Sequence, residues 1–218
     1  MEGTAERDEM VRSQLMERGI RDQRVLDAMR RVPRHLFVPQ EVRREAYADR
    51  ALPIEQGQTI SQPFVVALMA QALELRGDER LLEIGTGSGY AAAVLSLLAA
   101  EVYTVERWPA LAETASQRLH DLGYANVQVF CSDGTDGLPA YAPFDAITVA
   151  AASPWVPRPL REQMSLNSRL VIPVGSRDEQ MLIRLTRRDA QTTTERLSGV
   201  RFVPLIGAHA WDNLERER

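Results

Sequence analysis

The chain has 218 residues, 44% of them hydrophobic and 26% charged, the balance of an ordinary globular domain or of one domain with an appended lobe. Its net charge of −4 argues against a nucleic-acid or membrane surface held by a basic face. A single cysteine, Cys131, excludes an internal disulfide, and because all 26 basic residues are arginine, a P-loop lysine and Schiff-base chemistry through lysine are excluded as well.

No run approaches the roughly 18–20 apolar residues of a membrane span, and the opening MEGTAERDEM has no apolar signal core. The expectation is a cytoplasmic protein in a reducing compartment, with Cys131 a small buried hydrophobe at a strand end. Residues 6–18 set Met10, Val11, Gln14 and Leu15 on one side at helical spacing, and Gly19 stops that helix. Asp22 is placed to cap a second helix presenting Val25, Leu26, Met29 and Val32. Pro33 and Pro39 bracket a turn, so residues 1–62 read as a helical lobe followed by a loop.

From Pro63 the pattern changes. Pro63 suits the first turn of a helix over 64–75, and Gly77-Asp78 breaks it. RLLEIG (80–85) reads as a strand, TGSGYAAAVLSLLAA as its helix, EVYTVE (101–106) as a second strand with a helix over 108–122, NVQVF (126–130) as a third and FDAITVA (144–150) as a fourth. A helix over 159–164 and a fifth strand, RLVIPVG (169–175), follow. Strands alternating with helices imply a doubly wound α/β sheet, mostly parallel, with helices on both faces. Segments 180–188 and 194–206 lack a helix between them and read as an antiparallel hairpin at the sheet edge. Residues 63–218 thus form the core to which the lobe is joined, one compact unit.

LLEIGTGSGYAA carries the chemistry. Gly85, Gly87 and Gly89 follow a strand and open a helix, where missing Cβ atoms allow a tight turn and close approach of a ligand to backbone N–H groups. The dinucleotide pattern G-x-G-x-x-G competes, but Tyr90 stands where its third glycine belongs, and Glu83 would repel a pyrophosphate. Glu106 at the end of the second strand can hold both hydroxyls of a ribose, and Asp133 after the third can accept from the exocyclic amino group of adenine. Each acid taken singly also reads as a helix cap or a solvated turn. Together they describe a pocket for an adenosine with a positive, phosphate-free tail, which is S-adenosylmethionine, at the carboxyl ends of the strands. His35, His120 and His209 are scattered and read as surface or packing residues, no His/Cys spacing suits a metal, and Ser88 is not in a nucleophile elbow.

VPRHLFVP, ALPIEQGQTISQP, LLEIGTGSGYAAAVLS, VYTVER, APFDAITVAAA, LVIPVG and RFVPLIG together resemble the protein-L-isoaspartate (D-aspartate) O-methyltransferase family, from about Met10 to Trp211. The resemblance implies a Rossmann-like class I S-adenosylmethionine-dependent methyltransferase fold. It implies methyl transfer to the free α-carboxylate of L-isoaspartyl residues, with D-aspartyl residues left open, in damaged proteins and peptides, so that repair proceeds through a succinimide. It further implies Ser61 as the active-site serine and a cofactor set of Gln58, Thr59, Ser61, Glu83, Gly85, Thr86, Gly87, Gly89, Glu106, Arg107, Asp133 and Gly134. No metal, nucleic acid or membrane is expected, and the enzyme is expected to be a monomer. Without the resemblance, a helix cap before Pro63 is the alternative reading of Ser61. The same scaffold acting on another carboxylate or a small molecule, or binding cofactor without turnover, are the competing functions.

Three positions depart from the family pattern. Glu55 stands where glycine is usual, which disfavours an anionic substrate unless its carboxylate points to solvent. Asn167-Ser168 replaces a Gly-Gly turn, which asparagine can support through its tolerance of left-handed backbone. Ser153 and Trp155 occupy the loop after the fourth strand, which is expected to border the substrate.

Overall fold

The computed structural model describes residues 3–189 and 191–212; the outer ends of the two expected regions, 1–2 and 213–218, lie outside the described residues. The chain enters through α1 (Thr4–Glu9), which runs on as a π-helix over Met10–Met16, marked by an i→i−5 bond from Glu17 N to Arg12 O of 3.3 Å. The expected single α-helix over 6–18 is therefore wound more loosely in its second half, with Met10, Val11 and Leu15 still buried. Gly19, at φ 97°, ends it. Asp22 caps α2 (Gln23–Arg31), its carboxylate accepting from the N–H groups of Arg24 and Val25 at 2.9 and 3.3 Å.

Two short strands, β1 (Leu52–Pro53) and β2 (Thr59–Ile60), pair antiparallel and bring the chain to α3 (Pro63–Leu73). The main sheet is then laid down as β3 (Arg80–Ile84), β4 (Glu101–Glu106), β5 (Val127–Cys131), β6 (Phe144–Val149), β7 (Met164–Gly175), β8 (Gln180–Arg188) and β9 (Gln191–Val200). Between its strands lie α4 (Tyr90–Ser96), α5 (Pro109–Asp121) and α6 (Arg158–Glu162). The strand order is β5-β4-β3-β6-β7-β8-β9, parallel through β7 and antiparallel beyond it. The direction of winding reverses between β3 and β6, so the carboxyl ends of those two strands open a crevice of the kind that binds ligands in doubly wound sheets.

Alternation along each strand sends successive side chains to opposite faces. Leu81, Val102, Ala146 and Val171 pack with the N-terminal lobe, α3, α4 and the inner side of α5 in one cluster. Leu82, Val105, Ile147 and Ile172 pack on the other face with Leu160 of α6, Leu138 and Leu205. The first cluster runs without interruption from Met10 to Leu182, so the lobe shares its core with the sheet. Arg34 strengthens that junction: it is completely buried, its Nε donates to Ala46 O at 2.7 Å, and its guanidinium lies 4.7 Å from the Tyr90 ring, a cation–π contact.

The C-terminal part differs from the sequence expectation. Segment 180–188 pairs with β7 as well as with β9, giving a meander of which the expected hairpin is the outer half. The strand ends at Val200, and 201–206 turns back to the sheet, where Ala152 N donates to Val203 O and Leu205 N to Ala152 O. Helix α6 also stops at Glu162, because Met164 already pairs with Phe144. Asn167 adopts φ 61°, which is how β7 accommodates the missing glycines. Cys131 is exposed and not buried, because it closes β5, an edge strand whose residues are nowhere fully buried. Removing the α2 cap isolates one of these local devices: Asp22→Ala is expected to lower unfolding free energy by about 1 kcal/mol, read from denaturant melts, and an unchanged midpoint would mean the cap contributes nothing.

Candidate active site

The site is built on the turn between β3 and α4. Gly85, Gly87 and Gly89 have φ of 96°, 52° and 87°, values that side-chain-bearing residues rarely adopt. Val105 O accepts from Gly85 N at 2.8 Å and Thr86 N at 3.3 Å, which continues the β3–β4 ladder into the turn. Glu106, 5% exposed, accepts from Gly87 N at 2.9 Å through one oxygen and from Trp108 N at 3.1 Å through the other. Each oxygen keeps acceptor capacity for a further donor. Gly89 serves packing: a Cβ there would stand 3.2 Å from Leu119 Cδ1, so its absence lets α5 close on the turn.

Behind the turn stands Glu83, with no exposed surface. Its Oε2 accepts from Thr104 Oγ1 at 2.6 Å, and Thr104 Oγ1 is 2.7 Å from Thr86 Oγ1; its Oε1 has no hydrogen-bond partner. Burial pushes the Glu83 carboxyl up to about 8, the neighbouring Glu106 charge pushes the same way, and the Thr104 bond opposes them. Glu83 is therefore mostly a neutral acid at pH 7.

Asp133 is held differently. Its Oδ1 accepts from Thr135 N and Oγ1 at 2.8 and 2.7 Å, and its Oδ2 from Ala208 N at 2.8 Å. Desolvation alone would raise its pKa, but these donors outweigh it and hold the carboxyl below its ordinary value. The carboxylate thereby fastens 207–209 to the end of β5.

Three concavities meet above the strand ends. One of about 70 Å³ is lined by Gln58, Gly85, Gly87, Glu106, Arg107, Trp108 and Gly134 and covered by 203–206. A second, about 40 Å³, lies between Thr59–Ile60 with Ser61 and the turn residues Gly85, Thr86, Gly87 and Ser88, with Tyr90 on its border. The third is an open cleft of about 670 Å³ between the Thr59–Leu68 wall and residues 178–181 and 198–203. Thr59 and Ala150 line all three, and Ser61 lines the second and third. Ser61 makes no side-chain hydrogen bond and caps nothing: the N-cap of α3 is Gln62.

Of the residues predicted for the site, Gln58, Thr59, Ser61, Gly85, Thr86, Gly87, Glu106, Arg107 and Gly134 stand on cavity walls, whereas Glu83, Gly89 and Asp133 are set back from them. Ser153 and Trp155 do not border the cleft: Ser153 is fully buried, bonded through its N–H to Pro173 O, and Trp155, 57% exposed, donates to His209 O. Ala150 occupies the position expected of them. Glu55 is exposed and lines none of the three concavities, so its carboxylate does not oppose an anionic substrate. Sequence reasoning missed Arg18, which lines the cleft with its guanidinium 3.7 Å from the Phe64 ring centre and paired to Asp49 at 2.5 Å; a surface arginine on a helical lobe carries no signal of that placement. Trp108, which follows Glu106 and Arg107 directly and bonds to Glu106 through its N–H, was missed because a tryptophan before a helix reads as packing, and 198–206 was missed because only the return of the chain over the sheet brings it to the site. Among the described residues, no group of three His, Cys, Asp or Glu could hold a metal ion.

Residues 5–210 match the family model of protein-L-isoaspartate(D-aspartate) O-methyltransferase. The chain belongs to this family. A protein-L-isoaspartate O-methyltransferase of Roseiflexus sp. (strain RS-1) is 63% identical over 197 residues, covering 90% of each chain. A solved protein-L-isoaspartate O-methyltransferase superposes with a TM-score of 0.83 at 28% identity, over 96% of this chain and 68% of the other. A Plasmodium falciparum protein assigned to the same activity, solved with S-adenosyl-L-homocysteine, shares the fold with a TM-score of 0.78 at 23% identity, over 92% of this chain and 98% of that one. The chain is thus a methyltransferase acting on isoaspartyl residues of proteins, on a Rossmann-like core.

Glu83 gives the site a pH signature. Its carboxyl titrates near 8 when folded and near 4.3 when unfolded, so the folded state holds the extra proton between those values. The associated stability is complete below about pH 4 and is lost as pH rises toward 8. Relative to Glu83→Gln, the wild type is expected to lose up to about 1.4 kcal/mol per pH unit between pH 5 and 8, measured by urea melts of both proteins. A pH-independent difference would show that Glu83 is already charged.

Proposed function

We propose that the cleft holds an isoaspartyl peptide, that the two smaller cavities hold S-adenosylmethionine, and that the methyl group passes between them at Ser61. The observation that carries this reading is the sharing of walls: Thr59 and Ala150 belong to all three concavities, and Ser61 to the cleft and to the cavity at the glycine turn. The residues fit the cofactor. Gly85 and Gly87 present backbone without side chains, and a Cβ on Gly134 would stand 2.5 Å from Ile84 Cγ2, so that wall has to be bare. Glu106 has the spare acceptors that a ribose diol needs. At about 70 Å³ the nucleoside cavity is below the roughly 300–1,000 Å³ of ordinary ligand sites, so its cover, 203–206, yields outward on loading. Asp133 reaches adenine only if it also keeps or exchanges its bond to Ala208.

The chemistry asks for alignment more than proton transfer. When bound, S-adenosylmethionine supplies an electrophilic methyl on a sulfonium. The isoaspartyl α-carboxylate is ionised at neutral pH, so this chain needs no general base. The free hydroxyl of Ser61, beside Thr59 and Gln58, orients one carboxylate oxygen toward the cofactor cavity, and the walls of the cleft limit its motion; fixing such a geometry is where most of the rate is gained. The methyl ester then closes to a succinimide with loss of methanol, and hydrolysis returns part of the residue to normal aspartate. No described helix is long and apolar enough to cross a membrane. The net charge of −4 and the single cysteine support a cytoplasmic protein without nucleic-acid partners.

Two peptides differing only in isoaspartate or aspartate at one position test the reading with labelled S-adenosylmethionine. Base-labile label on the isoaspartyl peptide alone is expected; labelling of both or neither would overturn it. Ser61→Ala removes one hydrogen bond to a charged group, worth roughly 1.5–3 kcal/mol, and is expected to lower turnover about 10- to 100-fold with cofactor affinity kept. Glu106→Ala should instead weaken calorimetric cofactor affinity by more than about tenfold.

A further inference from the structure

Glu83 is a buried acidic group behind the glycine turn that the chemistry above leaves unused. It faces no cation. On β4 it meets Thr104 at the same register, with Glu106 two residues on, and on β6 it meets Thr148. Of the elements packed on this face, α3 (PFVVALMAQAL) and α4 (YAAAVLS) contain no charged residue, while the guanidinium of Arg34 in the lobe is spent on Ala46 O and the Tyr90 ring and that of Arg118 in α5 on Ser88 O at 2.7 Å. The one titratable side chain of α3 and α4, Tyr90, directs its hydroxyl to Met29 Sδ at 3.7 Å. The Glu83 carboxyl is nevertheless connected to the site: the 2.6 and 2.7 Å links through Thr104 and Thr86 run from the buried oxygen to a residue on the wall of the cavity beside Ser61.

We propose that Glu83 is a charge-sensing residue that distinguishes the sulfonium donor from the thioether product, carrying a proton when the site holds no cofactor charge and releasing it through the Thr104–Thr86 hydroxyl chain when the sulfonium is bound. The balance is simple. Binding of the donor places a positive charge against the site; the Glu83 O–H bond breaks as its proton passes to Thr104 Oγ1, the Thr104 hydroxyl proton passes to Thr86 Oγ1 and the Thr86 hydroxyl proton leaves to solvent, so that the electron pair stays on the carboxylate and Thr104 ends as its donor. Methyl transfer removes the positive charge, leaving the carboxylate buried and uncompensated, a costly state, so a solvent proton returns. Glu83 is a positioning residue in this scheme: it acts through Thr104, Thr86 and the local field and does not touch the substrate.

The inference rests on the reading that the donor is S-adenosylmethionine. A unit charge on the order of 10 Å away at an effective dielectric near 20 shifts a buried acid by about one pH unit. With the free carboxyl near 8, donor binding at pH 7.5 releases about half a proton that product binding does not. Calorimetric titrations of the full chain with S-adenosylmethionine, and separately with S-adenosylhomocysteine, in phosphate, HEPES and Tris read this from the dependence of observed heat on buffer ionisation heat. The expected result is about half a proton more for the donor in the wild type, abolished in Glu83→Gln. In a second variant, Thr104→Val, loss of the bond that favours the ionised form moves the pH of maximal release upward. Equal proton release for the two ligands in the wild type, a difference that survives in Glu83→Gln, or an unmoved maximum in Thr104→Val would overturn the proposal. Measurable donor binding with equal release would leave the functional reading standing, whereas failure of either ligand to bind would overturn that reading and this inference together.

Discussion

The Glu106 carboxylate, accepting from the N–H groups of Gly87 and Trp108, is the joint on which the site depends. It ties the exit of β4 to the turn after β3, two strands that the sheet holds side by side in register. Without it, the turn's N–H groups would be free to point anywhere that positive φ at Gly85, Gly87 and Gly89 permits. With it, one bare stretch of backbone is fixed over the crevice where the winding reverses. The placement of α4, the exposure of Thr86 to the cavity and the bordering of all three concavities by Ala150 follow from that geometry.

A second constraint acts from the N-terminal side. The β1–β2 pair carries Thr59 and delivers Ser61 to the start of α3, so this loop of the candidate site is held between the lobe and the sheet. Gln62 Nε2 donates to Asp49 O at 3.1 Å, and Asp49 in turn holds Arg18 against Phe64. The wall of the cleft is therefore a short network whose members come from three parts of the chain, and it fixes the backbone that carries Ser61 while leaving the Ser61 hydroxyl itself without a partner.

Much of this was legible in the sequence. Alternating strands and helices, the Gly-rich turn, the Asp22 cap and the Pro63 helix start are local signals, and each has its local cause. Asn167 at positive φ was readable for the same reason. Elements whose form depends on distant partners were not. Helix α6 is cut short by the pairing of Met164 with Phe144, residues 201–206 are taken from the sheet by Ala152, and Cys131 is exposed because β5 lies at the edge, a fact of strand order that no local pattern records. Within the candidate site, the glycine turn was legible from its own residues, because positive φ selects glycine, whereas the TISQ stretch was legible only through the family resemblance. Arg18, Trp108 and Ala150 were not, because an arginine, a tryptophan and an alanine in those positions satisfy packing equally well. Asp133 shows the intermediate case: its position at a strand end was readable, its bond to Ala208 was not.

The distribution of charge follows from the reaction itself. A sulfonium and a carboxylate combine to two neutral products, so charge diminishes on the way to the transition state. A fixed, uncompensated charge beside the reacting atoms would stabilise one reactant more than the transition state, which lowers KM without raising kcat. The walls around Ser61 agree with that requirement. In the small cavity beside Ser61 they are hydroxyls, glycine backbone and apolar side chains including Ala150, while the charged residues of the open cleft are Arg18, paired to Asp49, and Asp178, Glu179 and Arg201 on the opposite wall. Arg34, the completely buried guanidinium, is spent on the junction between lobe and α4, against the Tyr90 ring. The one acid directly behind the turn, Glu83, is kept neutral by burial in the absence of a nearby cation. Beside Ser61, polarity is thus supplied by dipoles and not by a fixed charge, and the buried acid behind the turn holds a proton while no cation is near it.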